Sequence, residues 1–188
     1  MGVTGLFFGS FNPIHNGHLA IARYLLDEEY CREVWFVVSP QNPWKKDQSL
    51  LDEQKRFWMV KEAIAGDNRM KACDQEFRMS RPSYTYQTLQ TFSREFPGLQ
   101  FSLIMGGDNL RNFHLWKDYE KIIALYPVLV YPRPGETVPV LQGVNITLVD
   151  APLTSVSSTE IRDKVKIGKD VAGEVPDEIL PWVLEYYK

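Results

Sequence analysis

Cysteine and histidine are scarce in this chain, a basic charge excess is missing, and no apolar stretch is long enough to span a bilayer. Two cysteines, Cys31 and Cys73, are too few and too separated for a disulfide framework, so a cytoplasmic, reducing setting is expected. Three histidines and two cysteines without metal-ligand spacing leave little material for a zinc centre. The formal net charge of -3 argues against a general nucleic-acid or membrane-surface binder, so any cationic site must be local. The N-terminus has no basic leader region, and Leu6 stands where a myristoylation signal wants Ser or Thr. Linkers, low-complexity tracts and internal repeats are absent too. The length prior for 188 residues then favours one domain over 1–188, with C-terminal helices at 157–188 packing on the sheet.

What is present is an alternation of short apolar runs with amphipathic stretches. Apolar runs at 3–8, 33–39, 70–73, 101–105, 128–131 and 145–149 read as strands. Helices are expected over 17–29, 51–65, 84–95, 117–125, 158–164 and 176–187, with Gly66 ending the second and Pro176 opening the last. Alternation of this kind predicts an α/β fold, an open parallel sheet of Rossmann-like form with helices on both faces. Ligands of such sheets sit at the carboxyl ends of strands where strand order reverses. Residues 9–18 follow the first strand and Gly106-Gly107-Asp108 the fourth, so both motifs are expected on one rim.

The run Gly9-Ser10-Phe11-Asn12-Pro13-Ile14-His15-Asn16-Gly17-His18 reads as a strand end, a tight turn and a helix start. Unpaired backbone N–H groups and the positive end of the helix dipole converge there, which suits an anion. Gly9 and Gly17 would let phosphate approach without a Cβ in the way, and His15 and His18 could aim ring N–H groups at it. A packing corner, a capping histidine or a metal-binding pair are the plainer readings, and the density of special residues in one corner weighs against them. A second run, Ser157-Ser158-Thr159-Glu160-Ile161-Arg162, opens a helix with three hydroxyls and returns a guanidinium one turn later. Alone it reads as a Ser cap with a solvated Arg; beside the first motif it reads as a second phosphate clamp.

These residues carry a resemblance. Residues 9–18 match the G-x-F-x-P-x-H-x-G-H signature of the nucleotidyltransferase superfamily, and 157–162 resembles its S-S-T-x-I-R segment. Nearly end to end the chain is similar to bacterial nicotinate-nucleotide adenylyltransferases: Ser83-Tyr84-Thr85-Tyr86-Gln87-Thr88-Leu89 resembles S-Y-T-x-D-T-L, with Gln87 in place of Asp. Phe113-His114-Leu115-Trp116 matches F-x-x-W, Arg133-Pro134-Gly135 matches R-P-G, and Asn42-Pro43-Trp44-Lys45 is a shortened N-P-P-H-K. Arg78-Met79-Ser80-Arg81 looks like the K-M-S-K-S loop of class I aminoacyl-tRNA synthetases but stands before the midpoint, and reads as chance.

The resemblance implies an enzyme that joins ATP and nicotinate mononucleotide, its partners, to give nicotinate adenine dinucleotide and pyrophosphate, with Mg²⁺ carried in on ATP. It assigns His18 to the α-phosphate, and His15 with the Ser10 and Phe11 backbone to neighbouring phosphates. Lys45, Ser158, Thr159 and Arg162 are assigned to the leaving pyrophosphate. Gly9, Gly17, Gly106 and Ser157 line the ATP site, and Asp108 takes a ribose hydroxyl. Trp116 would stack on the pyridine ring; Tyr84, Thr85, Tyr86 and Lys117 would take the nicotinate carboxylate, and Arg133 a phosphate. Adenylyl transfer to nicotinamide mononucleotide or phosphopantetheine, or a non-catalytic nucleotide sensor, are the alternatives. The sequence leaves oligomeric state open, a homo-oligomer included.

Overall fold

The computed structural model describes residues 2–41, 50–133 and 145–188. Among them, β1 (Thr4–Gly9), β2 (Glu33–Val38), β3 (Met70–Cys73), β4 (Phe101–Gly106), β5 (Val128–Tyr131) and β6 (Ile146–Leu148) form one sheet. All pairings are parallel and the order is β3-β2-β1-β4-β5-β6, the doubly wound arrangement expected from the alternating pattern. The helices are α1 (Asn16–Asp27), α2 (Glu53–Ala63), α3 (Thr85–Glu95), α4 (Gly107–Leu110), α5 (Tyr119–Leu125), α6 (Ser158–Lys166) and α7 (Leu180–Tyr186).

Alternate residues of each central strand feed two separate cores, because side chains in a strand point to opposite faces. Phe7, Val34, Phe36, Val38 and Ile104 pack on one face with Leu25 of α1, Met59 of α2, Ile161 and Val165 of α6, and Val183 of α7. Their neighbours Leu6, Trp35, Val37, Leu103 and Met105 pack on the other with Leu89 and Phe92 of α3 and Ile122 of α5. Burial on both faces is why these strands read as continuous apolar runs.

Several boundaries differ from the sequence expectation for local reasons. The last helix begins at Leu180 rather than at 176, since Pro181 has no N–H and fits only the first turn. Asp118, with φ of 59°, is left-handed and delays α5 to Tyr119. Helix α2 ends at Ala63, capped by Ile64, before Gly66 is reached. The single turn α4 and the 3₁₀ turns Gln75–Arg78 and Phe113–Leu115 are too short to leave a periodic trace.

The β1–β4 ladder runs from Thr4↔Phe101 to Phe7↔Ile104, while β1 continues to Gly9 and β4 to Gly106. The two motifs therefore flank the switch of strand order, the place where open parallel sheets bind ligands. The C-terminus reaches back to it: the Tyr187 hydroxyl, buried beyond α7, donates to Asn12 Oδ1 at 2.7 Å, which also accepts from the Leu51 N–H at 3.2 Å. Replacing Tyr187 by Phe is expected to lower unfolding free energy by about 1 kcal/mol, read as a shifted urea midpoint at unchanged slope.

Candidate active site

The turn after β1 is built by its own side chains. Phe11 is buried at a left-handed φ of 44°, a rare conformation for a bulky residue, and its ring lies where a Cβ on Gly9 would be. A Cβ on Gly17 would meet Thr154 Oγ1 and the His15 ring. Both glycines are thus required for packing: the space expected to admit phosphate is filled by Phe11, Thr154 and His15. Gly106 follows the same rule, with Asp108 Oδ1 and the Tyr131 ring over its Cα.

His15 is the N-cap of α1, and its backbone N–H donates to His18 Nδ1 at 3.3 Å. An accepting Nδ1 carries no proton, so in the neutral ring the His18 proton sits on Nε2. The two rings stack at 3.7 Å between centroids, and His18 meets Phe7 and Phe11 edge-on. Burial, then the positive charge of Arg133, pushes His15 down to about 3. His18 is held well below the usual imidazole range by burial, then by His15 and Arg133. Both rings are neutral near pH 7, and His18 offers a neutral donor.

The two phosphate motifs are bonded to one another. Ser158 Oγ donates to Pro13 O at 2.8 Å, and Arg162 Nη1 to Asn12 O at 2.8 Å, with Arg162 Nη2 on Thr159 Oγ1 at 3.2 Å. Ser157 is the N-cap of α6, its Oγ accepting from Glu160 N–H at 3.2 Å. The Ser158 hydroxyl proton is committed to the turn, so Ser158 acts here as a strut; Arg162 retains further N–H donors. Arg133 stands with its Nε 3.7 Å from Asp108 Oδ1. Among the described residues, three buried side-chain polar atoms lack a hydrogen-bond partner: His15 Nδ1, Arg133 Nε and Thr154 Oγ1. All three lie in or beside the segments that build this turn and rim.

The other group of sequence-predicted residues lies around the start of α3, which follows β3 and so begins on the same rim of the parallel sheet. Thr85 is the first residue of α3, half-buried, and the Lys117 ammonium lies 4.4 Å over the Tyr84 ring. Trp116 is half-buried with its ring edge-on to Phe113 at 5.3 Å, and Tyr86 is a core residue. Lys45 lies outside the described residues, as do Asn42, Pro43, Trp44, Pro134 and Gly135. Among the described residues no group of three or more His, Cys, Asp or Glu could cage a metal, and no helix is long and apolar enough to cross a membrane.

Three contributors were missed from the sequence. Thr154 carries no motif. Arg56 donates to four main-chain carbonyls around the turn, and its signal was its place on the buried stripe of α2 with Met59 and Val60. Glu76 is a buried carboxyl that accepts from the hydroxyls of Ser39, Ser83 and Thr88; burial raises it above the usual carboxylate range. It anchors the segment that carries Tyr84 and Thr85.

Known proteins resemble the chain along its whole length. The cytidylyltransferase-like family model matches residues 6–164. A probable nicotinate-nucleotide adenylyltransferase of Cytophaga hutchinsonii is 47% identical over 186 residues, covering 97% of each chain. Its counterpart in Bacteroides fragilis is 45% identical over 169 residues, covering 89% of this chain and 84% of the relative. The fold matches Plasmodium falciparum nicotinic acid mononucleotide adenylyltransferase complexed with NaAD at a TM-score of 0.78 and 19% identity, over 99% of this chain and 94% of that one.

The histidine burial has a pH signature. An unfolded histidine binds its proton near pH 6.5, whereas folded His15 does so only near 3. The unfolded state thus binds more protons below about pH 6.5, and stability falls as pH drops through that window. Urea unfolding at pH 7.5 and 5 should show this loss, and His15→Asn should reduce the difference between the two.

Proposed function

This chain belongs to the cytidylyltransferase-like family, among its nicotinate-nucleotide adenylyltransferases, and we propose that it transfers the adenylyl group of ATP to nicotinate mononucleotide. The products are nicotinate adenine dinucleotide and pyrophosphate. What carries this reading is a turn whose carbonyls are tied inward, placed at the sheet's switch point in a chain with end-to-end relatives of that name.

A 5′-phosphate oxygen of nicotinate mononucleotide attacks the α-phosphorus of ATP. The bond from that phosphorus to the bridging oxygen breaks, and its electron pair leaves with pyrophosphate. No protein nucleophile is required, so the work is positioning and charge stabilisation. His18 donates from Nε2 to an α-phosphate oxygen, with its tautomer set by the His15 N–H. Because Nδ1 is occupied by the His15 N–H, His18 acts as a neutral donor throughout, stabilising charge on the α-phosphate by a hydrogen bond from Nε2. Arg162, together with Thr159, faces the leaving phosphates, and Arg133 with Asp108 flanks the nucleotide at the switch of strand order. Mg²⁺ enters as part of the nucleotide substrate, where phosphate oxygens satisfy its preference for hard ligands.

Nicotinate is favoured over nicotinamide at α3. Thr85 and the first N–H groups of that helix are donors at the positive end of its dipole, which suits a carboxylate. An amide would turn its own NH₂ toward some of them.

Pyrophosphate release with Mg²⁺ and ATP should be fast with nicotinate mononucleotide and slow with nicotinamide mononucleotide. Equal kcat/KM for the two would remove the assignment to Thr85, and ATP binding without release would favour a sensor. His18→Ala should lower kcat by about two to three orders of magnitude while its circular dichroism stays unchanged.

A further inference from the structure

We infer that Arg56 is a positioning residue for the ATP half of the site: its buried guanidinium fixes the Ser10 carbonyl and so aims the Phe11 N–H at the triphosphate. This rests on the ATP reading above. Arg56 is only 1% exposed, on the inward stripe of α2. Its Nη1 donates to Ser10 O and, at 2.9 Å, to Ser39 O; Nη2 donates to Pro40 O at 3.1 Å, and Nε to Leu51 O at 2.8 Å. Three chain segments therefore meet on one planar group: the turn after β1, the exit of β2, and the approach to α2.

The geometry has a directional consequence. In a trans peptide the C=O and the following N–H lie in one plane and point in opposite directions. Ser10 O is drawn inward to Arg56, so the Phe11 N–H faces away from that buried guanidinium. Phe11 sits at φ of 44°, a conformation that a bulky residue leaves unless it is held. The ring is held over Gly9 and the preceding carbonyl is held by Arg56. A lysine could keep the charge here but not the planar fork that reaches four acceptors. Charge and geometry are thus separable by substitution. None of these four bonds is made to α3, whose start is anchored by Glu76 through Ser83 and Thr88; the two networks meet only at Ser39, whose carbonyl accepts from Arg56 and whose hydroxyl donates to Glu76.

The experiment compares wild type with Arg56→Lys and Arg56→Met, using a non-hydrolysable ATP analogue with Mg²⁺ in a titration calorimeter alongside steady-state kinetics. In both variants the analogue should bind about ten- to a hundredfold more weakly, with a matching fall in kcat/KM for ATP. The KM for nicotinate mononucleotide should change far less than the binding of the analogue, because Glu76 keeps its bonds to Ser83 and Thr88 when Arg56 is replaced. Unchanged analogue binding in a folded variant overturns the inference. So does an equal loss for both substrates, or failure of both variants to fold, since Arg56 would then serve the fold alone. Wild-type protein that binds the analogue yet releases no pyrophosphate would strike the proposed reaction instead, with the Arg56 comparison still decided by binding.

Discussion

The site depends on capture of main-chain carbonyls. Ser10 O goes to Arg56, Asn12 O to Arg162 and Pro13 O to Ser158, while the Asn12 side chain is held by Tyr187 and the Leu51 N–H. The donors come from α2, α6 and the C-terminus, all packed on one face of the sheet. A turn with its carbonyls satisfied from within presents N–H groups outward, and that polarity is what an anion needs. The same contacts close the fold, since those from Ser158, Arg162 and Tyr187 tie residues more than a hundred positions apart. Stability and anion recognition are therefore carried by one set of bonds.

Electrostatics on this rim are held out of balance until a ligand arrives. Two stacked histidines are kept neutral by burial and by Arg133, itself only loosely paired with Asp108. Among the described residues, buried polar atoms of His15, Arg133 and Thr154 have no hydrogen-bond partner. Local strain at Phe11 belongs to the same account, because functional turns hold conformations that the surrounding packing enforces.

The sequence was most legible where chemistry and periodicity are local. Residues 9–18 announced a strand, a turn and a helix start, and the strands announced themselves by apolar runs that both faces of the sheet bury. Helix α6 was read correctly at its start because Ser157 is a cap, a property of three consecutive residues. Legibility failed where a residue's partner is remote. Arg56 looks like a surface charge on a helix of low amphipathicity, and only packing against two strand ends makes it interior. Glu76 is similar: its three hydroxyl donors come from separate segments. The packing need for Gly9 and Gly17 was not legible either, since the atoms a Cβ there would meet belong to Phe11, Thr154 and His15.

By itself, then, the sequence determined the doubly wound sheet, the rim on which its motifs fall and the kind of ligand they suit. Hydrophobic periodicity and turn chemistry are short-range, and strand-crossover handedness does the rest. Tertiary structure alone decided which donors the turn keeps and which it exposes. Hydrogen bonds join atoms that meet only after the sheet has closed and the C-terminus has folded back on Asn12. It also decided the charge state of His15 and His18, because desolvation is a property of the packed interior and not of a residue type.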